Sequence, residues 1–257
     1  MEYLTKEDIV DAFRRCGIKS GSVLMLHSDA IFLSQTKPMS KSDRYGLFFD
    51  AMDEVLGAEG TLVIPTFTYS ATIDEPFIVE ETPSTVGDLT EYFRKMPAVK
   101  RSRDPIFSVA AIGKRSRQFC EVKIEDSFGK DSIFDLLDQS NAWLCSLATK
   151  FLVTHTHFVE QTVGVDYRYF KNFKYKIIEN GIEQKGELKY YVRDVSRKSQ
   201  MCLVDLEKRL REKKQFQTGK IGRFNIFATR SKEFRSEAEY LISIKGNALI
   251  NEGFINQ

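Results

Sequence analysis

The stretch SVLMLHS at 22–28 contains a short apolar run that is followed by His27 and Ser28. The stretch GTLVIP at 60–65 contains a second apolar run, which is followed by Pro65. Apolar runs of this length predict buried strands, here over 22–26 and 61–64. Between them, the apolar residues over 43–56 recur with a helical period. Helix and buried strand thus alternate along the chain, which predicts an α/β layer architecture.

The later part of the chain predicts a sheet of mixed direction. We predict a first helix between Thr5 and Gly17, helices over 86–96, 132–137, 154–160 and 203–214, strands over 107–112, 143–147 and 224–228, and a final helix. The dipeptide Asn-Gly at 180–181 lies between two segments rich in strand-forming residues. Asn-Gly in this setting predicts an antiparallel hairpin in the second half of the chain.

The composition excludes several classes of protein. The chain has 257 residues, of which 42% are hydrophobic and 29% charged, as in ordinary globular proteins. No run of about 18 apolar residues occurs, and the N-terminus lacks the basic-then-apolar order of a signal peptide. The four cysteines lie far apart in the sequence, as reduced thiols do. We therefore expect a cytoplasmic protein with no membrane partner.

The charge is unevenly distributed. Residues 168–223 hold 16 Lys and Arg against 7 Asp and Glu, whereas residues 1–167 hold 18 against 25. Such a basic block indicates either an anionic partner or a well-solvated surface. No motif that reads DNA or RNA accompanies it, so no nucleic-acid partner is expected.

The segment THTHFVE at 154–160 contains two of the three histidines of the chain. On a helix, His157 and Glu160 are separated by three positions and share one face. A carboxylate bonded to one imidazole nitrogen fixes the tautomer and leaves the other nitrogen free to accept a proton. This spacing is that of a general-base pair, although many such pairs are structural.

Two other kinds of chemistry are less well supported. His155, His157 and Glu160, with His27, form a partial set of metal ligands, but no histidine follows 157, so no metal is expected. The sequence contains no nucleophile elbow, phosphate-binding loop or dinucleotide fingerprint. Cys145, in a Leu-Cys-Ser-Leu run, is typical of a small core residue.

Six blocks in register resemble a known family. They are HS at 27–28, GTLVIPTFT at 60–68, TPSTVGDL at 82–89, RSRDPIFSVAAIG at 101–113, FGKDSIFDLL at 128–137 and THTHFVE at 154–160. Together they resemble the aminoglycoside 3-N-acetyltransferase family, a coenzyme-A-dependent group distinct from the GNAT fold, over roughly residues 1–170. Within it, the chain looks most similar to nucleotide-sugar N-acyltransferases of surface-polysaccharide and O-antigen biosynthesis.

This resemblance implies a three-layer α/β/α fold around a mixed sheet, as a single acyltransferase domain over 1–257. The motifs that bind coenzyme A would lie mainly in 1–160, and the acceptor-side hairpin and helix in 168–223. The family pattern gives His157 as the general base and Glu160 as its orienting partner. Acyl-CoA would be the co-substrate, and a homodimer is left open.

The same resemblance implies a set of binding residues. Those matched to coenzyme A are His27, Ser28, Ser84, Thr85, Arg101, Ser102 and Ser108, and those expected to contact the acceptor are Thr66, Thr68, Tyr69, Thr154 and His155. The last group includes residues that follow a strand end, where ligand sites of α/β proteins collect. Structural alternatives stay open, since Ser84, Thr85 and Thr154 could cap helices, Arg101 could form a surface ion pair and His27 could be a core residue.

Two positions depart from the family pattern. Asp104 stands before a proline where the family commonly has histidine. The run ATKFLV at 148–153 replaces a glycine-rich run with Asp or Asn.

These observations lead to an expected reaction, the direct transfer of an acyl group from acyl-CoA to a primary amine. The basic second half favours a nucleotide-linked amino-deoxy sugar as acceptor. The alternatives are an aminoglycoside, which would make the protein an antibiotic-resistance enzyme, and a non-catalytic protein of the same fold that binds coenzyme A or a sugar.

Overall fold

A mixed sheet of seven strands forms the centre of the molecule. The computed structural model describes residues 3–197 and 199–251. Its strands are β1 (Val23–Ser28), β2 (Thr61–Pro65), β3 (Phe77–Ile78), β4 (Lys100–Arg101), β5 (Val109–Gly113), β6 (Trp143–Leu147), β7 (Arg168–Glu179), β8 (Ile182–Arg193), β9 (Gln200–Met201), β10 (Phe216–Ile221), β11 (Phe224–Arg230) and β12 (Ile250–Asn251). The central sheet has the order β10-β11-β6-β1-β2-β5-β4.

Helices cover both faces of this sheet. They are α1 (Lys6–Arg15), α2 (Lys41–Leu56), α3 (Asp88–Arg94), α4 (Ser116–Cys120), α5 (Ile133–Gln139), α6 (His155–Val163), α7 (Val204–Glu212) and α8 (Ser231–Ile244), with short 3₁₀ turns at Ala30–Gln35 and Ser70–Thr72. The predicted capping box is present at the start of α1, where Thr5 and Asp8 exchange hydrogen bonds. Within the described residues, none of the helices has the length and apolarity needed to cross a membrane.

The sheet is mixed, as the sequence predicts. β1 pairs in parallel with both β2 and β6, whereas the other pairs of the central sheet are antiparallel. The carboxyl ends of β1, β2 and β6 therefore lie along one edge of the sheet.

Alternating side chains of β1 enter two separate cores. Val23 and Met25 pack with residues of α4 to α8, and Leu24 and Leu26 pack with residues of α1, α2 and α3. Because successive strand residues point to opposite faces, one short apolar strand serves both cores. This arrangement is the expected three-layer α/β/α fold.

The predicted hairpin is β7–β8, which pairs residue by residue over its twelve-residue strands. Asn180 and Gly181 form its turn with φ of 50° and 75°, the backbone that Asn-Gly adopts readily. The hairpin forms a separate three-stranded sheet with β3. It begins at Arg168, several residues before the segment that the sequence pattern marks as strand.

Two of the element boundaries that differ from the prediction have a clear local reason, and the edge strand β10 is not predicted. The helix predicted from Val86 begins at Asp88, because Gly87 has a φ of 130° that no helix allows. The strand predicted from Phe107 begins at Val109, because the N–H groups of Ile106 and Phe107 donate to the Asp104 carboxylate. β10 is an additional strand, whose polar sequence FQTGKI gives a weak strand signal.

The close packing between β2 and β5 leaves no room for a side chain at Gly113. A Cβ at this position would lie 2.2 Å from the carbonyl oxygen of Gly60, and the φ of Gly113 is +108°. Gly21 also has a positive φ, of +80°, but open space around it. We expect Gly21→Ala to cost about 1–2 kcal/mol of strain, and Gly113→Ala a further 1–3 kcal/mol or so from overpacking. Urea unfolding of both variants checks this, and equal losses would contradict it.

Candidate active site

A cleft of about 500 Å³ opens at the carboxyl ends of β1 and β2. Its walls are Leu26–Ala30 from β1 and the residues after it, Tyr45, Pro65, Phe67, Val86–Thr90, Thr149 and Leu152. Ligand sites of α/β proteins form at such strand ends. His27 and Ser28, two residues matched to coenzyme A by the family pattern, are both in the wall.

The cleft is connected to the start of α6 through His27. The N–H of Thr154 donates to Nε2 of His27 over 3.3 Å, and the Thr154 hydroxyl lies 3.1 Å from the same nitrogen. A backbone N–H can only donate, so Nε2 is an acceptor and the ring proton is on Nδ1. Burial lowers the pKa of His27 to about 4, which keeps the ring neutral for this bond. His27 therefore lines the cleft and is also hydrogen-bonded to Thr154, the residue before α6.

His157 and Glu160 form the predicted pair on α6. Nδ1 of His157 lies 2.8 Å from Oε2 of Glu160. The Glu160 side chain is fully buried, whereas 17% of the His157 side chain is exposed. When Nδ1 donates to this carboxylate, Nε2 is left as the nitrogen that accepts a proton.

The Glu160 carboxylate has two further partners. The Tyr167 hydroxyl donates to Oε1 over 2.9 Å, and Nε of Arg168 lies 2.7 Å from Oε2. Burial alone would raise the pKa of Glu160, but the His157 hydrogen bond, the Arg168 charge and the Tyr167 hydroxyl together hold it below its usual range. Glu160 is therefore a carboxylate at neutral pH, although no part of it is exposed.

Opposing effects act on His157. Burial and the Arg168 guanidinium lower its pKa, and the Glu160 carboxylate raises it, with a lowered pKa as the net result. The imidazole is consequently neutral near pH 7, which is the state that a general base needs before it takes a proton.

Aromatic rings cover the pair on the side of the hairpin. The Phe128 ring meets His157 edge-on at 5.5 Å between centroids, and Phe107 and Tyr190 pack against Phe128. Tyr69, which is 39% exposed, joins this group through Phe107 at 5.7 Å. Tyr69 is thus the residue of the predicted acceptor set that both joins this group and is open to solvent.

The part of the chain that forms this site matches a known protein family. A family model described as aminoglycoside 3-N-acetyltransferase matches residues 25–243, which include the cleft, α6 and the hairpin. The chain belongs to this family.

Two relatives illustrate the match. Aminoglycoside N(3)-acetyltransferase IV of Salmonella sp. is 33% identical over 115 residues, 44% of this chain and 41% of that protein. The SPbeta prophage-derived aminoglycoside N(3′)-acetyltransferase-like protein YokD of Bacillus subtilis (strain 168) is 24% identical over 57% of this chain and 61% of its own. The chain thus aligns with less than two thirds of the length of either relative.

Solved structures of the family share the fold over a longer range. The YokD crystal structure superposes with a TM-score of 0.75 at 22% identity, covering 92% of this chain and 98% of YokD. The AAC-IIIb binary complex with CoASH superposes with a TM-score of 0.79 at 15% identity, covering 95% and 98%. The family and both sequence relatives have aminoglycoside names, and the narrower resemblance to nucleotide-sugar acyltransferases finds no support among them.

Ser84 and Thr85 support the cleft rather than line it. The Thr85 N–H and hydroxyl both donate to the Phe67 carbonyl over 2.9 Å. Ser84 donates its N–H to Glu91 and pairs with the Thr90 hydroxyl over 2.7 Å. Both residues therefore fix the turn before α3, whose residues 86–90 do line the cleft.

The Arg-Ser block of the family is buried, and its hydrogen bonds connect β2, β4 and β5. This network of hydrogen bonds is called the brace below. Arg101 donates to the carbonyls of Val79, Thr82 and Thr66, which holds the chain after β2 and β3 in place. The hydroxyls of Ser102, Ser108, Thr66 and Thr68 are likewise bonded to backbone groups in this brace. Burial lowers the pKa of Arg101 to about 9. The structure does not bring this group to the cleft wall.

His155 faces the core and not the cleft. It is fully buried between Phe158 and Phe234, with Nε2 at 3.6 Å from Oδ1 of Asp138. Burial lowers its pKa. Direct acceptor contact by His155, as expected from the sequence, is not compatible with this position. In the described part of the chain, no three His, Cys, Asp or Glu residues are grouped so as to hold a metal ion.

Both departures from the family pattern have structural roles. The Asp104 carboxylate accepts the N–H groups that shape the turn before β5. Phe151, from the replaced run, packs against Phe216 at 4.8 Å in the core. Thr149 and Leu152 from the same run line the cleft.

The sequence analysis missed the roles of Tyr167 and Arg168. No motif in the sequence points to Tyr167, and Arg168 only marks the start of the basic block. Their bonds to Glu160 depend on the turn at Gly164, which has a φ of 79° and returns the chain along α6. No spacing rule links residues across such a turn, so the sequence alone offers no signal for these contacts.

The Tyr167 bond predicts a pH-dependent stability. Because the folded pKa of Glu160 is depressed, its contribution is complete above the ordinary value of about 4.5 and is lost as pH falls through the folded pKa. Tyr167→Phe raises that folded pKa and costs about 1–3 kcal/mol at pH 7. The cost should shrink as pH falls below about 4.5.

Tyr191→Phe is the matched control. The Tyr191 hydroxyl donates to the carbonyl of Val165, which does not titrate, so its loss should cost about 1 kcal/mol at every pH. Urea unfolding of both variants between pH 7 and pH 3 compares the two. Parallel pH dependences would show that the Tyr167 hydroxyl does not act on an ionised Glu160.

Proposed function

We propose that this chain is an acetyl-CoA-dependent N-acetyltransferase that acylates an amine of an aminoglycoside. The observation that carries the proposal is the neutral, half-buried His157 bonded to a buried Glu160 on the helix that begins at the cleft. Membership in the aminoglycoside 3-N-acetyltransferase family supports it. The chemistry and the acceptor are proposals, because the matched lengths of the named relatives are partial.

In the proposed reaction, His157 acts as general base toward the acceptor amine. The amine nitrogen forms a bond to the thioester carbonyl carbon, and the carbon–sulfur bond breaks. Nε2 of His157 takes the proton that the amine loses and can return it to the departing sulfur. Glu160 accepts the Nδ1 hydrogen bond and stabilises the imidazolium that forms. A positioned base of this kind contributes about 10²–10⁴-fold to the rate.

The cleft at the ends of β1 and β2 is the proposed site for coenzyme A. It contains apolar walls at Leu26, Phe67 and Leu152, suited to a flexible chain, and polar groups at Ser28 and Thr90. His27 joins it to Thr154, three residues before His157. A thioester at the inner end of this cleft would thus lie toward the first turn of α6. No metal takes part in the proposed reaction.

A second acceptor class has one observation in its favour. The block 168–223 is strongly basic, with 16 Lys and Arg against 7 Asp and Glu. An acceptor that bears phosphates, such as a nucleotide-linked amino-deoxy sugar, would be attracted by such a surface, whereas a polycation would not. The names of the relatives favour the aminoglycoside, which is why it is the main proposal.

The acceptor is decided by a thiol-release assay with acetyl-CoA and longer acyl-CoAs. Parallel reactions contain an aminoglycoside and a nucleotide-linked 3-amino-3,6-dideoxyhexose. We expect turnover with acetyl-CoA and the aminoglycoside. Turnover with the nucleotide sugar alone would favour the second acceptor class. Coenzyme A binding without turnover on either would favour a binding protein of the same fold.

Replacing the base should remove catalysis without removing the fold. We expect His157→Ala to lower kcat by about 10²–10⁴-fold while its coenzyme A affinity changes little. Thr162→Ala is the control, because Thr162 is exposed on the same helix and bonds only within it, to the Phe158 carbonyl. Wild-type turnover in His157→Ala would exclude His157 as the base.

The cleft assignment is tested by filling the cleft. Thr149 is exposed on its rim, so Thr149→Trp should raise the Kd for coenzyme A by more than about tenfold, or 1.4 kcal/mol. Thr162→Trp, outside the cleft, should leave the Kd unchanged. Calorimetric titration with coenzyme A measures both. An unchanged Kd in Thr149→Trp would place coenzyme A elsewhere.

A further inference from the structure

We propose that Arg168 is a positioning residue, which holds Glu160 as a carboxylate and keeps His157 unprotonated in the resting protein. This role rests on the proposed function of His157 as a base. Arg168 itself has no place in the binding sets that the family pattern implies, and it would act only through its two neighbours.

The contacts of Arg168 support this role. Its side chain is 5% exposed, so it is not placed to bind a substrate. Nε lies 2.7 Å from Oε2 of Glu160, and Nη1 donates to the Tyr191 carbonyl over 3.1 Å. Nη2 lies 2.8 Å from Nδ1 of His157. One buried guanidinium thus touches both members of the pair and is held by the backbone of β8.

Glu160 and Arg168 compete for one nitrogen. Nδ1 of His157 can donate a proton to Glu160 or accept one from Arg168, but it cannot do both at once. In an imidazolium both ring nitrogens carry protons, so the Arg168 contact would be lost and two cations would lie side by side. The tautomer that can act as a base keeps its proton on Nδ1 and donates it to Glu160, so in that tautomer Arg168 opposes protonation of His157 through its charge rather than through a hydrogen bond. The same charge, in an ion pair with Glu160, keeps that carboxylate ionised.

The charges that face His157 come from three elements. Glu160 is on the same helix, Arg168 is on β7 and Arg193 is on β8. Tyr190, a titratable group of β8, interacts with the same three charged residues. Glu160 favours the imidazolium, and both arginines oppose it. Arg193 donates to the Ser199 carbonyl instead of touching the pair. Arg193 is therefore the control, because it is a cation on the same hairpin that does not contact His157 or Glu160.

The experiment is an NMR titration of protein labelled with ¹⁵N-histidine. Only three histidines contribute signals, and the pair of ring nitrogen signals lost in His157→Ala identifies His157. We expect the wild-type pKa of His157 to lie below the usual value of about 6.5, and Arg168→Met to raise it by about one unit or more. The fraction of His157 with its proton on Nδ1 should rise as well.

Two further variants separate positioning from packing. Arg168→Lys retains the cation, so it should leave the pKa of His157 closer to the wild-type value than Arg168→Met does. Arg193→Met should raise the pKa of His157 less than Arg168→Met does. A folded Arg168→Met with a wild-type His157 pKa would overturn the proposal. If Arg168→Met does not fold, a wild-type pKa above about 7 would overturn it.

The pH dependence of enzyme activity provides an independent measurement of the pKa of His157. If His157 is the base, the acidic limb of the kcat/KM profile should move to higher pH in Arg168→Met by the same amount as the NMR pKa. If no acceptor is turned over, the proposed function fails while the NMR titration still tests Arg168. If turnover occurs but the pKa of His157 does not respond, the role of Arg168 fails alone.

Discussion

The negative charge of Glu160 is the constraint on which this site depends. A carboxylate with no exposure costs several kcal/mol in desolvation unless hydrogen bonds and opposite charge compensate it. His157, Tyr167 and Arg168 supply that compensation, and they come from α6 and from the chain that follows it. The turn at Gly164 brings these two segments side by side. The path of the chain into the hairpin and the chemistry of His157 are therefore fixed by the same buried charge.

The sheet provides the second half of the arrangement. β1 lies between β2 and β6 and is parallel to both, so the ends of all three strands meet at one edge. The cleft forms at this edge, and α6 begins just after the end of β6. The bond between His27 and Thr154 then joins the cleft to the helix that carries His157. The cleft and the pair of His157 and Glu160 thus become neighbours through strand order rather than through sequence proximity.

Local signals in the sequence were sufficient for much of this fold. The capping box at Thr5, the buried apolar strands and the Asn-Gly turn each depend on nearby residues, and each is present. The pair His157 and Glu160 follows from helical spacing in the same way. The same spacing shows that His155 and His157 are separated by about 200° around a helix, so the two cannot face one site. The burial of His155 against Asp138 is the consequence.

Tertiary contacts were beyond the reach of the sequence. A family motif such as the block around Arg101 and Ser108 shows that a residue matters, but not whether it faces a ligand or a backbone carbonyl. Here the block holds the chain after β2 in place. Arg168 is the opposite case, because it lies outside every motif and yet touches both members of the pair.

The central claim is that Glu160 stays ionised although it is buried. The most direct measurement is the ¹³C shift of the Glu160 side-chain carboxyl, in protein labelled at glutamate, followed from pH 8 downward and assigned by its absence in Glu160→Gln. The account predicts a carboxylate shift throughout the neutral range, with protonation only below the ordinary value of about 4.5. A carboxyl group that takes up its proton near or above pH 6 would contradict it, because burial would then outweigh the three partners.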